Sequence, residues 1–243
     1  MVPGDVAVED VRSWMVPLLA GRRRILEVGC GPGDLARLLG AAGFEVTALD
    51  VALASPAPGP APGVSWVEID FLAFEAEPFE AILFTRSLHH IHPLEQAVDR
   101  ARRLLRPGGA LLIDDFDRDA PDAETARWYY EVKELLAAAE LYPRDRIDGG
   151  ADDDPLARWR AEHEHEHEPP LHTGAEMIAV VADRFTDLMT SRGPYLYRSI
   201  AGGLPADSSG LALTNQLYAA ENRRLRAAAL VAVGLRIAVV APT

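Results

Sequence analysis

The chain has 243 residues, 49% of them apolar, with 24 Lys plus Arg against 37 Asp plus Glu and a net charge of −13. That length and apolar content suffice for one large α/β domain, while the acidic excess argues against DNA or RNA as substrate, because a polyanion would approach against the protein's field. No apolar run approaches the roughly 20 residues of a bilayer span, the opening Met1-Val2-Pro3-Gly4-Asp5 lacks the pattern of a secretion signal, and Cys30 has no second cysteine to pair with, so a cytoplasmic protein is expected.

Arg24 to Val28 (RILEV) is a short apolar stretch that meets Gly29, which predicts a buried strand entering a tight turn. Leu35, Leu38 and Leu39 then fall at helical spacing, with Gly43 as the stop. Glu45 to Asp50 (EVTALD), Val64 to Ile69 (VSWVEI) and Ala81 to Thr85 (AILFT) predict the second to fourth strands. Between the second and third, Ser55 to Gly63 (SPAPGPAPG) is too proline-rich for a helix and reads as a surface loop. Pro93 opens a helix to about Leu105, whose Arg100, Arg102, Arg103 and Arg106 suit a solvated face. Arg106-Pro107-Gly108-Gly109 reads as its breaker, and Ala110 to Ile113 as a fifth strand ending at Asp114-Asp115. Strands alternating with helices imply right-handed crossovers and a mostly parallel sheet.

Beyond that strand the texture changes. Ala120 to Leu141 reads as a helix, and Tyr142 to Pro170 as polar and broken, with Asp152-Asp153-Asp154 and the run Glu162-His163-Glu164-His165-Glu166-His167-Glu168. Thr173-Gly174-Ala175-Glu176 is a capping box for a helix to about Arg184. Phe185 to Thr190 reads as a strand, Leu211 to Val233 as a long helix and Leu235 to Val240 as the last strand.

The chemistry concentrates at Gly29-Cys30-Gly31-Pro32-Gly33, which follows a strand and opens a helix. Bare glycines there admit close approach by a ligand, and the first N–H groups of the helix face the turn. Asp50 closes the next strand, 21 residues after Gly29, where a carboxylate accepts from both hydroxyls of a ribose. These contexts together predict a nucleoside site. The glycine spacing is G-x-G-x-G rather than the G-x-G-x-x-G usual for a dinucleotide.

With Ile25–Leu39 (ILEVGCGPGDLARLL), Val46–Asp50, Glu68–Leu72, Ala81–Ile91 (AILFTRSLHHI) and Leu104–Ile113, the chain resembles the class I S-adenosylmethionine-dependent methyltransferases that act on small molecules. The resemblance implies a Rossmann-like, mostly parallel seven-stranded sheet whose antiparallel last strand lies between the fifth and sixth. It implies S-adenosylmethionine as methyl donor. Glu27, Gly29, Gly31 and Gly33 would surround its methionine and ribose portions, with Cys30 in the same turn. Asp50 would bind the ribose hydroxyls and Val51 would lie beside the adenine. Asp70 would accept from the adenine amino group, with Phe71 giving its backbone N–H and apolar contact. Thr85 and Arg86 would border the methionine moiety and the acceptor. Phe71 has plain core packing as its alternative reading.

The whole chain, 1–243, is read as one methyltransferase domain in which 117–172 forms an inserted helical cap that chooses the acceptor. The histidines fall in two groups, His89, His90 and His92 after the fourth strand and His163, His165, His167 and His172 in the cap. Three readings stay open. They are surface or turn-capping residues; or His90 or His172 orients or deprotonates the acceptor; or histidines two apart on one face of a strand bind a divalent metal beside their carboxylates. No metal is assigned. Asp114 and Asp115 read either as acceptor ligands or as solvated turn residues.

The expected function is methyl transfer to a small-molecule oxygen, nitrogen or carbon, with no nucleic-acid or membrane partner and a homodimer left open. Thr85-Arg86-Ser87-Leu88 stands where amide-methylating families carry Asn/Asp-Pro-Pro-Tyr. The rivals are a non-catalytic module that keeps the donor pocket and an NAD-dependent oxidoreductase, against which the glycine spacing speaks.

Overall fold

Apolar stretches too short for helices make the strands of one seven-stranded sheet: β1 (Arg24–Val28), β2 (Glu45–Asp50), β3 (Val64–Glu68), β4 (Phe79–Thr85), β5 (Leu105–Phe116), β6 (Met189–Gly193) and β7 (Gly234–Val240), in the order β3-β2-β1-β4-β5-β7-β6. The computed structural model describes residues 1–54, 59–147, 154–165 and 169–241. β1 pairs in parallel with β2 and with β4, so that Ile25 stands beside Val46 on one side and Ala81 on the other. β7 runs antiparallel to β5. Gly108 N–H donates to Ala241 O at 3.1 Å near one end, and Asp117 N–H to Val233 O at 2.9 Å near the other, so numbering climbs on one strand as it falls on its neighbour. This is the expected seven-stranded Rossmann-like fold with its reversed last strand between β5 and β6. Strand order changes direction between β1 and β4, and open α/β sheets bind ligands outside the carboxyl ends of strands at such a reversal.

The helices are α1 (Pro3–Leu18), α2 (Asp34–Ala41), α3 (Leu94–Leu104), α4 (Ala123–Ala138), α5 (Pro155–His165), α6 (Gly174–Arg184), α7 (Leu196–Ala201) and α8 (Ser208–Arg226). The chain divides into two compact units, one of 10–115, 175–191 and 235–243, the other of 1–9, 116–174 and 192–234. The first holds most of the sheet and a core of Leu26, Val28, Ile82, Phe84, Leu111 and Ile113 with their neighbours. The second is built on aromatic packing. Tyr129 meets Trp159 edge to face at 5.4 Å, and Phe116 stacks on Tyr195 at 4.9 Å. In it Glu221, 1% exposed, accepts from the N–H groups of Tyr195, Leu196 and Tyr197 at 2.7–3.0 Å, satisfying the start of α7.

Several boundaries differ from the sequence reading, each for a physical reason. α1 went unread, although Val11, Met15 and Leu19 recur every four residues and are buried. β5 begins at Leu105 and runs through Pro107-Gly108-Gly109, the stretch read as a breaker. Gly108 takes φ +73° and its N–H bonds outward to Ala241, so tertiary pairing and a register shift opposite Phe79–Ala81 carry the irregular segment. α5 occupies ground read as broken. Asp154 accepts from Leu156 and Ala157 N–H at 3.0 and 3.2 Å, with Pro155 in the first turn. The strand placed at Phe185 to Thr190 lies at Met189–Gly193, because Phe185 is buried in the core at the end of α6. The long helix is Ser208–Arg226, started by Asp207 accepting from Ser209 and Gly210 N–H. Of the proline-rich loop, 59–63 carries neither helix nor strand and 55–58 lies outside the described residues, as do Asp152, Asp153, Glu166, His167 and Glu168.

Candidate functional site

The carboxyl ends of β1, β2 and β4 converge at the reversal of strand order, and most sequence-predicted donor residues stand there. After Val28 the backbone turns at Gly29, φ +73°, where a Cβ would lie 2.3 Å from Ser87 Cβ. At Gly33, φ +81°, a Cβ would lie 2.3 Å from the Trp66 ring. Both positions therefore exclude any side chain, by backbone conformation and by space together. Gly31 differs, since a Cβ there would meet nothing within 4 Å, so the middle of the turn faces open space. Gly33 caps α2 without any side-chain bond.

Asp50, at the end of β2, accepts from Gly31 N–H at 2.8 Å through Oδ2 and from Ala52 N–H at 3.2 Å through Oδ1. It holds the glycine turn in place, and each oxygen retains a second lone pair for a ligand hydroxyl. Val51 beside it is 71% exposed, an apolar shelf at the strand end. Asp70 is exposed and caps a 3₁₀ turn (Phe71–Ala73) by accepting from Leu72 N–H at 2.7 Å. Phe71 is 4% exposed and its ring meets Phe84 edge to face at 5.4 Å, so the ring belongs to the core.

Glu27 is the anomaly. It is 1% exposed as the penultimate residue of β1, Thr85 Oγ1 donates to its Oε1 at 3.3 Å, and Oε2 is buried with no partner. Burial pushes its pKa from 4.5 up to about 8; the bond from Thr85 opposes this, and the nearby charges of Asp34 and Asp50 add to it. An unmatched buried carboxyl oxygen beside an open glycine turn is costly unless a ligand donor completes it. Cys30, buried in the same turn, has its thiol pushed up to about 12 by burial and by Glu27 and Asp50, which leaves it unreactive.

The loop after β4 carries the rest. Arg86 is exposed with φ +57°, unusual for a residue with a side chain, and its N–H donates to Asp114 O at 2.8 Å. Ser87 Oγ donates to Val28 O at 2.6 Å, tying this loop to β1. His90 is exposed in a 3₁₀ turn (Leu88–His90), its ring centroid 4.0 Å from that of His89. His89 is buried, with Nδ1 2.6 Å from Asp115 Oδ1. Sequence reasoning missed this pair, because nothing local links a loop histidine to an acid two elements later. Asp114 and Asp115 are not solvated turn residues. Both lie inside β5 at 2% and 1% exposure, and Asp114 Oδ1 accepts from Arg236 Nε at 2.8 Å.

His172 is half-buried in the aromatic unit, two residues before α6. His163 stacks on Trp159 at 4.0 Å, with Nδ1 2.8 Å from Trp159 O. The strand expected behind the metal reading is instead helical over 155–165, while His167 lies outside the described residues. Among the described residues no group of three or more His, Cys, Asp or Glu is arranged to hold a metal ion.

A family profile described as a methyltransferase domain matches residues 7–167. The ubiquinone biosynthesis O-methyltransferase of Xylella fastidiosa is 34% identical over 118 residues, 45% of this chain and 47% of that one. The 2-phytyl-1,4-naphthoquinone methyltransferase of Thermosynechococcus vestitus is 30% identical over 118 residues, 44% of this chain and 52% of its own. The chain thus spans about half the length of the curated relatives it matches. Among solved structures, phosphoethanolamine N-methyltransferase 2 of Haemonchus contortus bound to S-adenosylmethionine superposes with a TM-score of 0.56 at 14% identity, covering 96% of this chain and 53% of that one. A glycine turn after β1, an acid at the end of β2 and a seven-stranded sheet with a reversed last strand are features of the class I methyltransferase fold. The chain belongs to this methyltransferase-domain family.

Proposed function

We propose that the chain binds S-adenosylmethionine at the ends of β1, β2 and β4 and transfers its methyl group to a small molecule. The observation that carries this is Glu27 Oε2, buried and unpartnered on the strand that leads into the glycine turn. A donor ammonium or hydroxyl would complete it, Asp50 would take the ribose hydroxyls, and Val51 and Asp70 would meet the adenine. The bound donor supplies an electrophilic methyl on a sulfonium, so the protein's task is alignment and exclusion of water. Thr85 holds Glu27 in place and Ser87 ties the loop after β4 to β1, which fixes two walls of the pocket relative to each other.

A small acceptor is supported by the relatives named for quinone biosynthesis and by the net charge of −13, which disfavours nucleic acid. We assign acceptor choice to 117–172, a segment of the aromatic unit, and His172 is its candidate polar contact. No helix among the described residues is long and apolar enough to cross a membrane, and a cytoplasmic setting suits the lone thiol of Cys30. Calorimetry with S-adenosylmethionine and with NAD tests the donor. S-adenosylmethionine should bind, NAD should not, and Asp50→Ala should weaken binding by about 1–3 kcal/mol. Tight NAD binding, or unchanged affinity in the variant, refutes the assignment; donor binding without transfer to any acceptor in an extract favours the non-catalytic module.

A further inference from the structure

The short loop that follows β4 combines three features that bear on the acceptor. Arg86 stands exposed at its start in a left-handed backbone conformation, φ +57°. Such a conformation is strained for a residue with a side chain and persists where the surroundings impose it, often at ligand sites. Among the described residues Arg86 pairs with no carboxylate, so its charge is not spent on the fold. At the loop's end His90 is exposed, and its imidazole lies on the ring of His89 at 4.0 Å. His89 in turn is buried and clamped twice by Asp115. Nδ1 lies 2.6 Å from Oδ1, and the His89 N–H donates to Oδ2 at 3.4 Å. A carboxylate only accepts, so the Nδ1 of His89 carries the hydrogen.

An exposed imidazole set on a ring that a buried acid holds, together with a cation on the same loop, suits one kind of acceptor. An ammonium would be repelled by Arg86. A phenolic hydroxyl would be drawn in, would lose its proton to His90, and would gain Arg86 as partner for the oxygen anion. We propose that the acceptor is a phenolic hydroxyl, with His90 as the base, Arg86 as the anion partner, and Asp115 acting through His89 as a positioning residue. This rests on the donor reading above.

The proton of the hydroxyl passes to the imidazole of His90. The acceptor oxygen then uses the released electron pair to bond the methyl carbon, and the methyl–sulfur bond breaks with its pair left on sulfur. His90, now an imidazolium, lies over the ring of His89, behind which the Asp115 carboxylate supplies negative charge at low dielectric. The proton leaves to water from an exposed position.

Two measurements test the proposal. Without donor, 4-nitrophenol is titrated into the protein below the pH at which it ionises in water, and visible phenolate absorbance is followed. The bound probe should ionise in the parent protein and stay protonated in His90→Gln and in Arg86→Gln, both exposed substitutions. A probe that binds without ionising, or does not bind, overturns the proposal. With S-adenosylmethionine, transfer to catechol is compared with transfer to benzylamine. Catechol should be methylated, and His90→Gln should lower kcat by about 100-fold or more. Free imidazole should restore part of the turnover of His90→Gly. Asp115→Asn should lower kcat by about tenfold while donor Kd and catechol KM stay put, a split that a merely structural role would not give. Transfer to benzylamine alone, or to neither probe by protein that binds donor, overturns the proposal. Absent donor binding in calorimetry instead refutes the donor reading, and the 4-nitrophenol titration still reads the loop by itself.

Discussion

Replacing Glu27 by Gln should change how stability depends on pH. In the folded chain the carboxyl titrates at about 8, against 4.5 for the ordinary group. The folded state therefore holds a proton that the unfolded chain has already released. Stability from this group is fully present below about pH 4.5 and is lost as pH rises toward 8, at about 1.4 kcal/mol per pH unit. Between about pH 6 and 7.5 the loss amounts to about 2 kcal/mol, and across the whole interval to about 5 kcal/mol as an upper bound. Gln keeps the shape and cannot ionise, so the variant should lose about 2 kcal/mol less than the parent over that window. Urea denaturation at the two pH values measures this directly. The same logic couples Glu27 to the donor. A cation in the pocket favours the carboxylate, so S-adenosylmethionine binding near pH 7 should release a proton, visible in calorimetry as a dependence on buffer ionisation enthalpy. Equal pH slopes for parent and variant would refute the placement of an orphaned carboxyl in β1.

Gly33→Ala should abolish measurable donor binding and cost about 1–3 kcal/mol of stability, since the residue needs φ +81° and its Cβ would strike Trp66; calorimetry and melting check both. Glu221→Ala leaves three N–H groups of Tyr195 to Tyr197 without their acceptor and should destabilise by about 2–4 kcal/mol, read by urea titration. Asp114→Leu removes one of the two carboxylates that hold Arg236, whose Nη2 keeps Asp10, and should cost about 1–3 kcal/mol in the same measurement.

What the sequence revealed follows from what it encodes locally. The five strands from Arg24 to Ile113 are short apolar runs, and periodicity finds them. The glycine turn and Asp50 were legible because their spacing is contiguous and the chemistry needs bare backbone. The boundaries of β5 were not, because a Pro-Gly-Gly segment stays in a strand only through its partner Ala241, far along the chain. Glu27 looked like one motif residue among several, and nothing local shows that its second oxygen is sealed without a donor. α5 was hidden by its charged, histidine-rich end, although Asp154-Pro155 is a helix-start signal that could have been weighed above composition. Asp114 and Asp115 read as exposed because acids at strand ends usually are, and their burial depends on Arg236 and His89 arriving from elsewhere.

Those two acids also show how one strand serves structure and site together. Successive strand residues point to opposite faces, and Asp114 and Asp115 go to different partners accordingly. Asp114 meets Arg236 of β7, whose Nη2 also bonds Asp10 of α1 at 2.8 Å, so one guanidinium ties three elements. Asp115 meets the loop after β4, with Oδ1 2.6 Å from His89 Nδ1 and Oδ2 accepting from the His89 N–H. The four residues before them, Ala110 to Ile113, are apolar and buried, which is what a stable sheet needs at those positions. Burying two carboxylates in the next two places gains little stability, since desolvation offsets the attraction of each pair. Their position does gain something else. Asp114 stands in register with Thr85, and Thr85 bonds Glu27, so the polar residues of β1, β4 and β5 form one layer at the carboxyl edge where strand order reverses. A polar layer there is poor packing and a good floor for a charged ligand, and that is the sense in which the site, rather than the core, dictates these residues.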